Sequence, residues 1–351
     1  MKGISLFASA GIAELYLKEL GINIVVANEL LEKRAECHKF LHPDTDVVVG
    51  DIRNKDIKDK IIEYIKNDHI KFLLATPPCQ GLSTLGKNKN QQHFEEDERN
   101  FLIFDTLEII DYGDFDFILI ENVPRFLEMY FPFQKKLYKL VDILNIKYSD
   151  KYNIDADILD TKDFCIPQMR PRAIIKLYKK NISWSWPDKQ KEITLKEAIG
   201  HLPSLEAGES SEIPWHYAKE HNERQILALK HTPTGKSAMQ NEIYYPKKEN
   251  GERIKGFHNT FKRMSWDMPA HARTTNCGNI GSHNNVHPGY DNGDGTFSDA
   301  RVLTLLETFI VSSIPTNIKF PDWATDTFIR TVIGESVPPL LIKKVLEKLY
   351  K

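Results

Sequence analysis

The chain has 351 residues, 41% of them apolar and 27% charged, with a net charge of −2. That length allows one large domain or two of unequal size, and the near-neutral charge gives no global argument for a polyanionic partner. No window approaches the ~18 consecutive apolar residues of a membrane span, and four dispersed cysteines (Cys37, Cys79, Cys165, Cys277) without a CxxC pair exclude a disulfide framework or a cysteine zinc site and suit a reducing cytoplasm.

In "MKGISLFASAGIAEL", Glu14 interrupts the apolar run and no export-type cleavage site follows, so the opening reads as strand and glycine turn, not as a signal peptide. "GISLF" is the first strand and "AELYLKELG" after it has helical periodicity closed by Gly21. "INIVVANE" is a second strand, followed by helical "LLEKRAECHKFL"; "DVVVGDI", "IKFLLA" and "FDFILIENV" are three more, with the helix "NFLIFDTLEIIDYG" between the last two. Near-continuous Val, Ile and Leu strands alternating with helices predict an α/β fold: a doubly wound, mostly parallel sheet whose ligands sit at the strands' carboxyl ends. After about Lys180 the chain becomes rich in Gly, Asn, His and Pro, which predicts a second, smaller and irregular domain. "DARVLTLLETFIVSSI" resumes helical periodicity and "ESVPPLLIKKVLEKLYK" closes the chain with a helix that has Pro near its start. The expected divisions are 1–181, 182–299 and 300–351, the last returning to the first domain.

Three strand ends carry chemistry. Gly11 follows the first strand, Glu29 ends the second and Asp51 the third. A carboxylate about 20 residues after a glycine turn can accept both hydroxyls of a ribose, and Asp51 could accept from an adenine amino group. "FASAG" lacks the full GxGxxG pattern, so an adenosine ligand without a diphosphate fits better, S-adenosylmethionine being the commonest. The competing reading is that Glu29 and Asp51 only cap the helices that follow.

"LLATPPCQGLS" runs from Leu73 to Ser83 and ends a strand on two prolines, which fix the backbone and cannot donate to a sheet ladder. Cys79 is thereby presented at the ligand edge of the sheet. The other three cysteines read as small buried hydrophobes. "FILIENVPRFL" puts Glu121 and Asn122 at the end of the neighbouring strand, so a thiol nucleophile and a carboxylic acid would lie close together. In "CIPQMRPRAIIKL", Gln168, Arg170 and Arg172 precede another strand; the two arginines share one face, as solvated surface or as a site for an anion or a carbonyl oxygen.

These stretches resemble the ordered motifs of the DNA (cytosine-5) methyltransferases of bacterial restriction-modification systems: "FASAG", "NE", "GDI", "PPCQGLS", "ERNFLIF", "ENV", "QMRPR", "RVLTLLE" and "GESVPP" occur in that family's order. The resemblance implies that Cys79 adds to C6 of a cytosine flipped out of the duplex, which makes C5 nucleophilic toward a sulfonium methyl group. It implies further that Glu121 bonds to or protonates N3, that Arg172 holds O2 and that Arg170 supports the site. The cofactor S-adenosylmethionine would be lined by Phe7, Ala10, Gly11, Glu29, Leu30, Asp51, Ile52, Pro78 and Leu102, with Glu335, Ser336 and Val337 beside it. Double-stranded DNA would be met by Gln80, Ser83, Asn122, Gln168, Lys262, Arg263 and Arg273, with Gly81 to Asn100 as a loop closing over it. Residues 182–299 would form the target-recognition domain, where "FKRMSWDMPAHARTTNCGNIGSHNNVHPGY" looks like the family's region of that kind and Lys247, Lys248, Arg253 and Lys255 add basic character. The chain would act in the cytoplasm as a monomer, without a membrane or a metal, beside a restriction endonuclease acting on the same site.

The chain departs from the family pattern at Ser5 and Ser9, where Asp and Gly are usual, and at Glu335, where Asn is usual; the glutamine usual after "LLE" is missing. These departures bear on cofactor affinity, not on reaction class. A tRNA cytosine-5 methyltransferase would share the catalytic motifs, but the long middle domain favours duplex DNA. A non-catalytic DNA-binding module on the same fold is disfavoured by intact Cys79, Glu121 and Arg172. "DNGDGTFSD" has the wrong spacing for a calcium loop, and His283 with His287 lies among Asn, Gly and Pro, which argues against zinc.

Overall fold

The computed structural model describes residues 1–78 and 97–350. Its chain divides into two compact units, 1–160 with 171–188 and 342–351, and 161–170 with 189–341.

Among the described residues the first unit is built on a seven-stranded sheet. In chain order β1 is Lys2–Leu6, β2 Asn23–Glu29, β3 Asp46–Val49, β4 Phe72–Ala75 and β5 Phe117–Asn122. A small hairpin follows (β6 Tyr130–Phe133, β7 Lys136–Lys139), and β8 is Tyr152–Asp160. The second unit contributes β9 (Gln168–Met169), after which β10 (Pro171–Lys179) rejoins the sheet. The order across the sheet is β3-β2-β1-β4-β5-β10-β8. The first five strands are mutually parallel, whereas β10 is antiparallel to both β5 and β8. The strand residues Ile4, Leu6, Val26, Leu73, Ala75, Ile118 and Ile120 are buried, as expected of strands covered on both faces. Helices Glu32–Leu41, Lys55–Asn67 and Ile103–Tyr112 link the parallel strands.

Chain order reverses about β1, with β2 on one side and β4 on the other, so the switch point where such sheets bind ligands lies between the ends of β1 and β4. Register brings those ends level: Leu6 pairs with Asn28 and with Ala75, and Ala75 with Ile120. The periodic stretch after β1 forms two short 3₁₀ turns, Ile12–Glu14 and Leu17–Leu20, in place of one helix. Gly11, at φ 74°, and Gly21, at φ 69°, bound the segment in left-handed conformations that stop an α-helix from propagating.

Among its described residues the second unit is mostly turns and short bridges, and its apolar clusters include two that hold the loops together. One contains Leu229, Met239, Phe261, Val286 and Val302, the other Leu195, Ile199, Met264, Leu303 and Val311. Buried arginines hold its irregular backbone. Arg301, fully buried, makes charge-assisted bonds to Glu307 Oε2 at 2.8 Å and Asp299 Oδ1 at 2.7 Å. Glu307 also completes a capping box with Thr304 at the start of helix Leu305–Val311. Among the described residues no helix is long and apolar enough to cross a membrane.

Candidate active site

The backbone after β1 is forced into an unusual path: Phe7, Ser9 and Gly11 all have positive φ, at 59°, 48° and 74°. A Cβ on Gly11 would lie 2.6 Å from His42 Cδ2 and 2.8 Å from His38 Cδ2, so both conformation and space demand glycine there. The turn is fixed from two sides. Glu29 at the end of β2 accepts from Ser9 N through Oε2 and from Leu31 N through Oε1, each at 2.9 Å. Thr76, just past β4, donates its hydroxyl to Phe7 O at 3.0 Å.

Glu29 therefore binds backbone on both sides of the end of β2, at Ser9 N and at Leu31 N. It helps to start the helix after β2, and it stands at the glycine turn with each oxygen accepting only one N–H of those bonds. Asp51 is turned instead toward Arg53, whose guanidinium grips both carboxylate oxygens, the shortest bond being 2.6 Å. Hydrogen bonding to Arg53 holds the Asp51 carboxyl below its ordinary pKa. Ala10 and Ile52 are buried, Leu30 is 57% exposed, and Phe7, Pro78 and Leu102 are half-buried around the same carboxyl edge. The residues fit an adenosine-type cofactor on one direct observation: the Ser9 hydroxyl is buried with no hydrogen-bond partner among the described residues, in the turn that Glu29 anchors.

Beneath this turn lies a buried polar group that strand-end motifs do not reveal. His42 Nε2–H donates to Gly11 O at 2.8 Å, and His38 Nε2 lies 3.1 Å from Glu14 Oε2. Burial pushes the Glu14 carboxyl up, but the two histidines outweigh it and the net shift is downward; burial lowers the His42 pKa. The signal in the sequence is the i,i+4 spacing of His38 and His42, which stacks them on one helical face.

One strand pair away, Glu121 sits at the end of β5 opposite Ile174, and Asn122 opposite Ala173. Glu121 is 8% exposed, and Arg172, at the start of β10, places Nε 2.8 Å from Glu121 Oε1. Burial pulls the Arg172 guanidinium below its ordinary pKa and the Glu121 charge opposes that shift. The pair thus keeps a carboxylate and a hydrogen-bonding cation together in a low-dielectric place. Asn122 donates Nδ2–H to Pro77 O at 3.0 Å and accepts from Val123 N at 2.8 Å. The turn that leads into Cys79 is therefore tied to the strand end that carries Glu121. Cys79, Gln80 and Ser83 lie outside the described residues.

Several expected DNA contacts are corrected by burial. Arg263, fully buried, donates to His287 O, Asp299 O and Leu229 O at 3.0 to 3.3 Å. Arg273, 1% exposed, is bonded to His271 O, Asn284 O and Asn285 Oδ1. Both are scaffold cations that satisfy backbone carbonyls where regular structure is lacking, and neither presents its guanidinium to a groove. Gln168 is also interior, bonded to Val311 O, Ser312 Oγ and Arg273 N, and Asn122 uses its amide on backbone as above. Arg170, assigned to the catalytic group, instead binds Arg273 O at 2.6 Å and Gly334 O and Ser336 O at 2.7 Å. It holds the "GESVPP" segment, which contains Glu335, Ser336 and Val337, within the second unit. Of the basic run, Arg253 donates to Met239 O and Lys248 pairs with Glu252, while Lys262 is half-buried at the surface.

A parallel sheet with a glycine turn after its central strand, a carboxylate ending the next strand and an antiparallel β10 beside β5 defines the methyltransferase fold. Solved structures share it over their whole length: the Entamoeba histolytica methyltransferase EhMeth has a TM-score of 0.65 at 17% identity and covers 100% of this chain and 98% of its own. Spodoptera frugiperda DNMT2 has a TM-score of 0.60 at 16% identity, with 100% and 99% covered. The C-5 cytosine-specific DNA methylase family matches residues 1–351, and the chain belongs to that family. Among its relatives, Type II methyltransferase M1.HgaI of Avibacterium volantium is 44% identical over 348 residues, spanning 99% of this chain and 98% of the relative. Type II methyltransferase M1.HphI of Haemophilus parahaemolyticus is 25% identical over 351 residues, with 99% and 86% covered. This chain is a DNA (cytosine-5) methyltransferase; the methyl donor that its family and fold imply is S-adenosylmethionine.

Proposed function

We propose that the protein methylates C5 of a cytosine within a specific duplex DNA sequence, as the modification enzyme of a restriction-modification system, and that the reaction passes through a covalent bond from Cys79 to C6. The observation that carries this reading is the largely buried Glu121–Arg172 pair, joined through Asn122 to the proline turn that precedes Cys79 in the sequence. The 44% identity to a Type II methyltransferase over nearly the full chain supports the restriction-modification setting.

S-adenosylmethionine, when bound, supplies an electrophilic methyl group. Glu29 and Ser9 would hold its ribose side, and Phe7, Ala10, Gly11, Leu30, Ile52, Pro78 and Leu102 would surround it; Asp51 reaches an adenine only by sharing its carboxylate with Arg53. Glu335, Ser336 and Val337 are carried to this role by the resemblance alone. The Cys79 thiol, ordinarily of pKa about 8.5, must lose its proton to attack. As its sulfur bonds to C6, negative charge builds on the pyrimidine, and Glu121 stabilises it by holding a proton at N3. Arg172 donates to O2 and keeps the ring in register with both groups. After C5 is alkylated a base removes its proton, the C–H electron pair re-forms the C5–C6 double bond, and sulfur leaves as a thiolate that regains a proton from solvent. The base must be turned out of the stack for any of these contacts. Residues 182–299 would read the target, with Lys262 among the phosphate contacts.

A duplex containing 5-fluorocytosine tests the covalent step, because fluorine cannot leave as a proton does. Together with S-adenosylmethionine it should trap a protein–DNA adduct stable to denaturation. An adduct absent from every duplex tried overturns the proposal, and one formed only on RNA reassigns the substrate.

A further inference from the structure

The second unit holds a cavity of about 250 Å³ whose wall includes Lys219, His221, Gln225, Asn276, Gly278 and Arg330. Its charged lining residues are the cations Lys219 and Arg330, and the Asp326 carboxylate lies against both. Arg330 is 1% exposed; its Nε donates to Asp326 Oδ1 at 2.8 Å and its Nη1 to Leu303 O at 2.9 Å, whereas Nη2 is buried with no hydrogen-bond partner among the described residues. A buried guanidinium nitrogen without an acceptor is costly, and a bound water or ion is one of the few ways to offset that cost. Lys219 Nζ comes no closer than 4.0 Å to a carboxylate, that of Asp326, among the described residues. His221 accepts from Val302 N through Nε2 at 3.3 Å, so its proton is on Nδ1 and that nitrogen is a donor. Burial, then the charges of Lys219, Arg330 and Arg301, hold the His221 pKa at about 4, so the ring is a neutral donor near neutral pH.

Gly278 makes the convergence possible. A Cβ there would lie 2.9 Å from Arg330 Cδ and 3.3 Å from both Arg330 Nε and Lys219 Nζ. The missing side chain is therefore what lets a point charge and a guanidinium fork close over one small space. Thr275, Asn276 and Asn279 at its rim are exposed, so the space opens to solvent and admits a group that continues outward on both sides.

We propose that this cavity binds one backbone phosphate of the DNA substrate, with Lys219, Arg330 and His221 as its donors. A tetrahedral oxyanion matches donors arriving from several directions, and a phosphodiester, unlike a free anion, uses the open rim for its flanking sugars. The assignment rests on the DNA reading above and adds residues that no recognised motif contains.

The test is duplex binding by the full-length protein over a range of salt concentrations. Lys219→Gln should weaken binding and lower the slope of log Kobs against log salt by about 0.9, the value for one lost phosphate contact. Gly278→Ala keeps every charge and narrows the cavity; it should weaken binding in the same direction. Thermal melting with and without inorganic phosphate runs beside it. If both variants bind duplex as the parent does but lose a stabilisation by inorganic phosphate that the parent shows, the DNA source is overturned and a free-phosphate site stands. If neither measurement moves, the cavity is not a phosphate site. A parent protein that fails to bind duplex at all would instead overturn the proposed function.

Discussion

Glu121 and Arg172 show how two side chains can be readied for a charge that does not yet exist. At rest the guanidinium lies 2.8 Å from the Glu121 carboxyl, and the pair is buried enough for their interaction to exceed that of an exposed ion pair. As a thiolate adds to C6, N3 of the ring becomes basic, and Glu121, once it has taken a proton from solvent, passes that proton to N3. Glu121→Gln keeps the shape and can still hydrogen-bond but cannot transfer that proton, so kcat should fall by about 10²–10⁴-fold with little change in cofactor affinity. Single-turnover methylation kinetics beside calorimetric titration of the cofactor would separate the two; an unchanged rate would remove Glu121 from the chemistry. Cys79→Ser should abolish turnover while cofactor binding stays within a few-fold. Loss of cofactor binding as well would give that residue a structural role.

At the scale of elements, the turns matter more than the strands. Periodicity and β-branched runs suffice to place β1 to β5, and the glycine, Glu29 and proline signals mark their carboxyl ends, because burial on two faces leaves a plain apolar record. The same residues do not disclose that Arg263, Arg273 and Arg170 face inward. An arginine that satisfies backbone carbonyls in an irregular unit has the same spelling as one that meets a phosphate, and only the path of distant chain decides between them. His38 and His42 were similarly hidden, since their partners Glu14 and Gly11 lie more than twenty residues away. Gly334 illustrates a contact that is invisible locally and sharp in three dimensions. It lies in helix Asp326–Glu335, and a Cβ there would sit 2.3 Å from Thr274 C and 2.4 Å from Thr275 N, both backbone atoms that cannot rotate away. Gly334→Ala should destabilise the fold by about 1–3 kcal/mol or more, despite the higher helix propensity of alanine. Urea unfolding would show it as a lowered midpoint at unchanged slope, and a neutral result would mean that the helix and the Thr274–Thr275 backbone separate easily.

For the molecule as a whole, the distribution of buried ionisable groups predicts which part fails in acid. His221, His271 and His287, all in the second unit, have pKa values lowered to about 4, first of all by burial. The unfolded chain would protonate them near the ordinary value of about 6.5. Below that pH the unfolded state therefore binds more protons than the folded one, so the stability these rings contribute is complete above about pH 6.5 and is lost progressively down to about pH 4. The carboxyls of Asp299 and Glu307 act in the same direction at lower pH. Arg301 and His287 outweigh their burial and hold both at about 2, so what they contribute is present above the ordinary carboxylate range and disappears as the pH falls toward 2. Melting temperature should accordingly decline from pH 6.5 to 4.5 well before carboxylates in general titrate. His287→Asn removes one of the three titrating rings, and although it lowers stability at neutral pH it should make the decline between pH 7.5 and 5 shallower. Scanning calorimetry across that range decides the matter: a melting temperature flat from pH 7.5 to 5 would mean that these histidines are hydrated in solution, and the buried polar framework of the second unit would have to be redrawn.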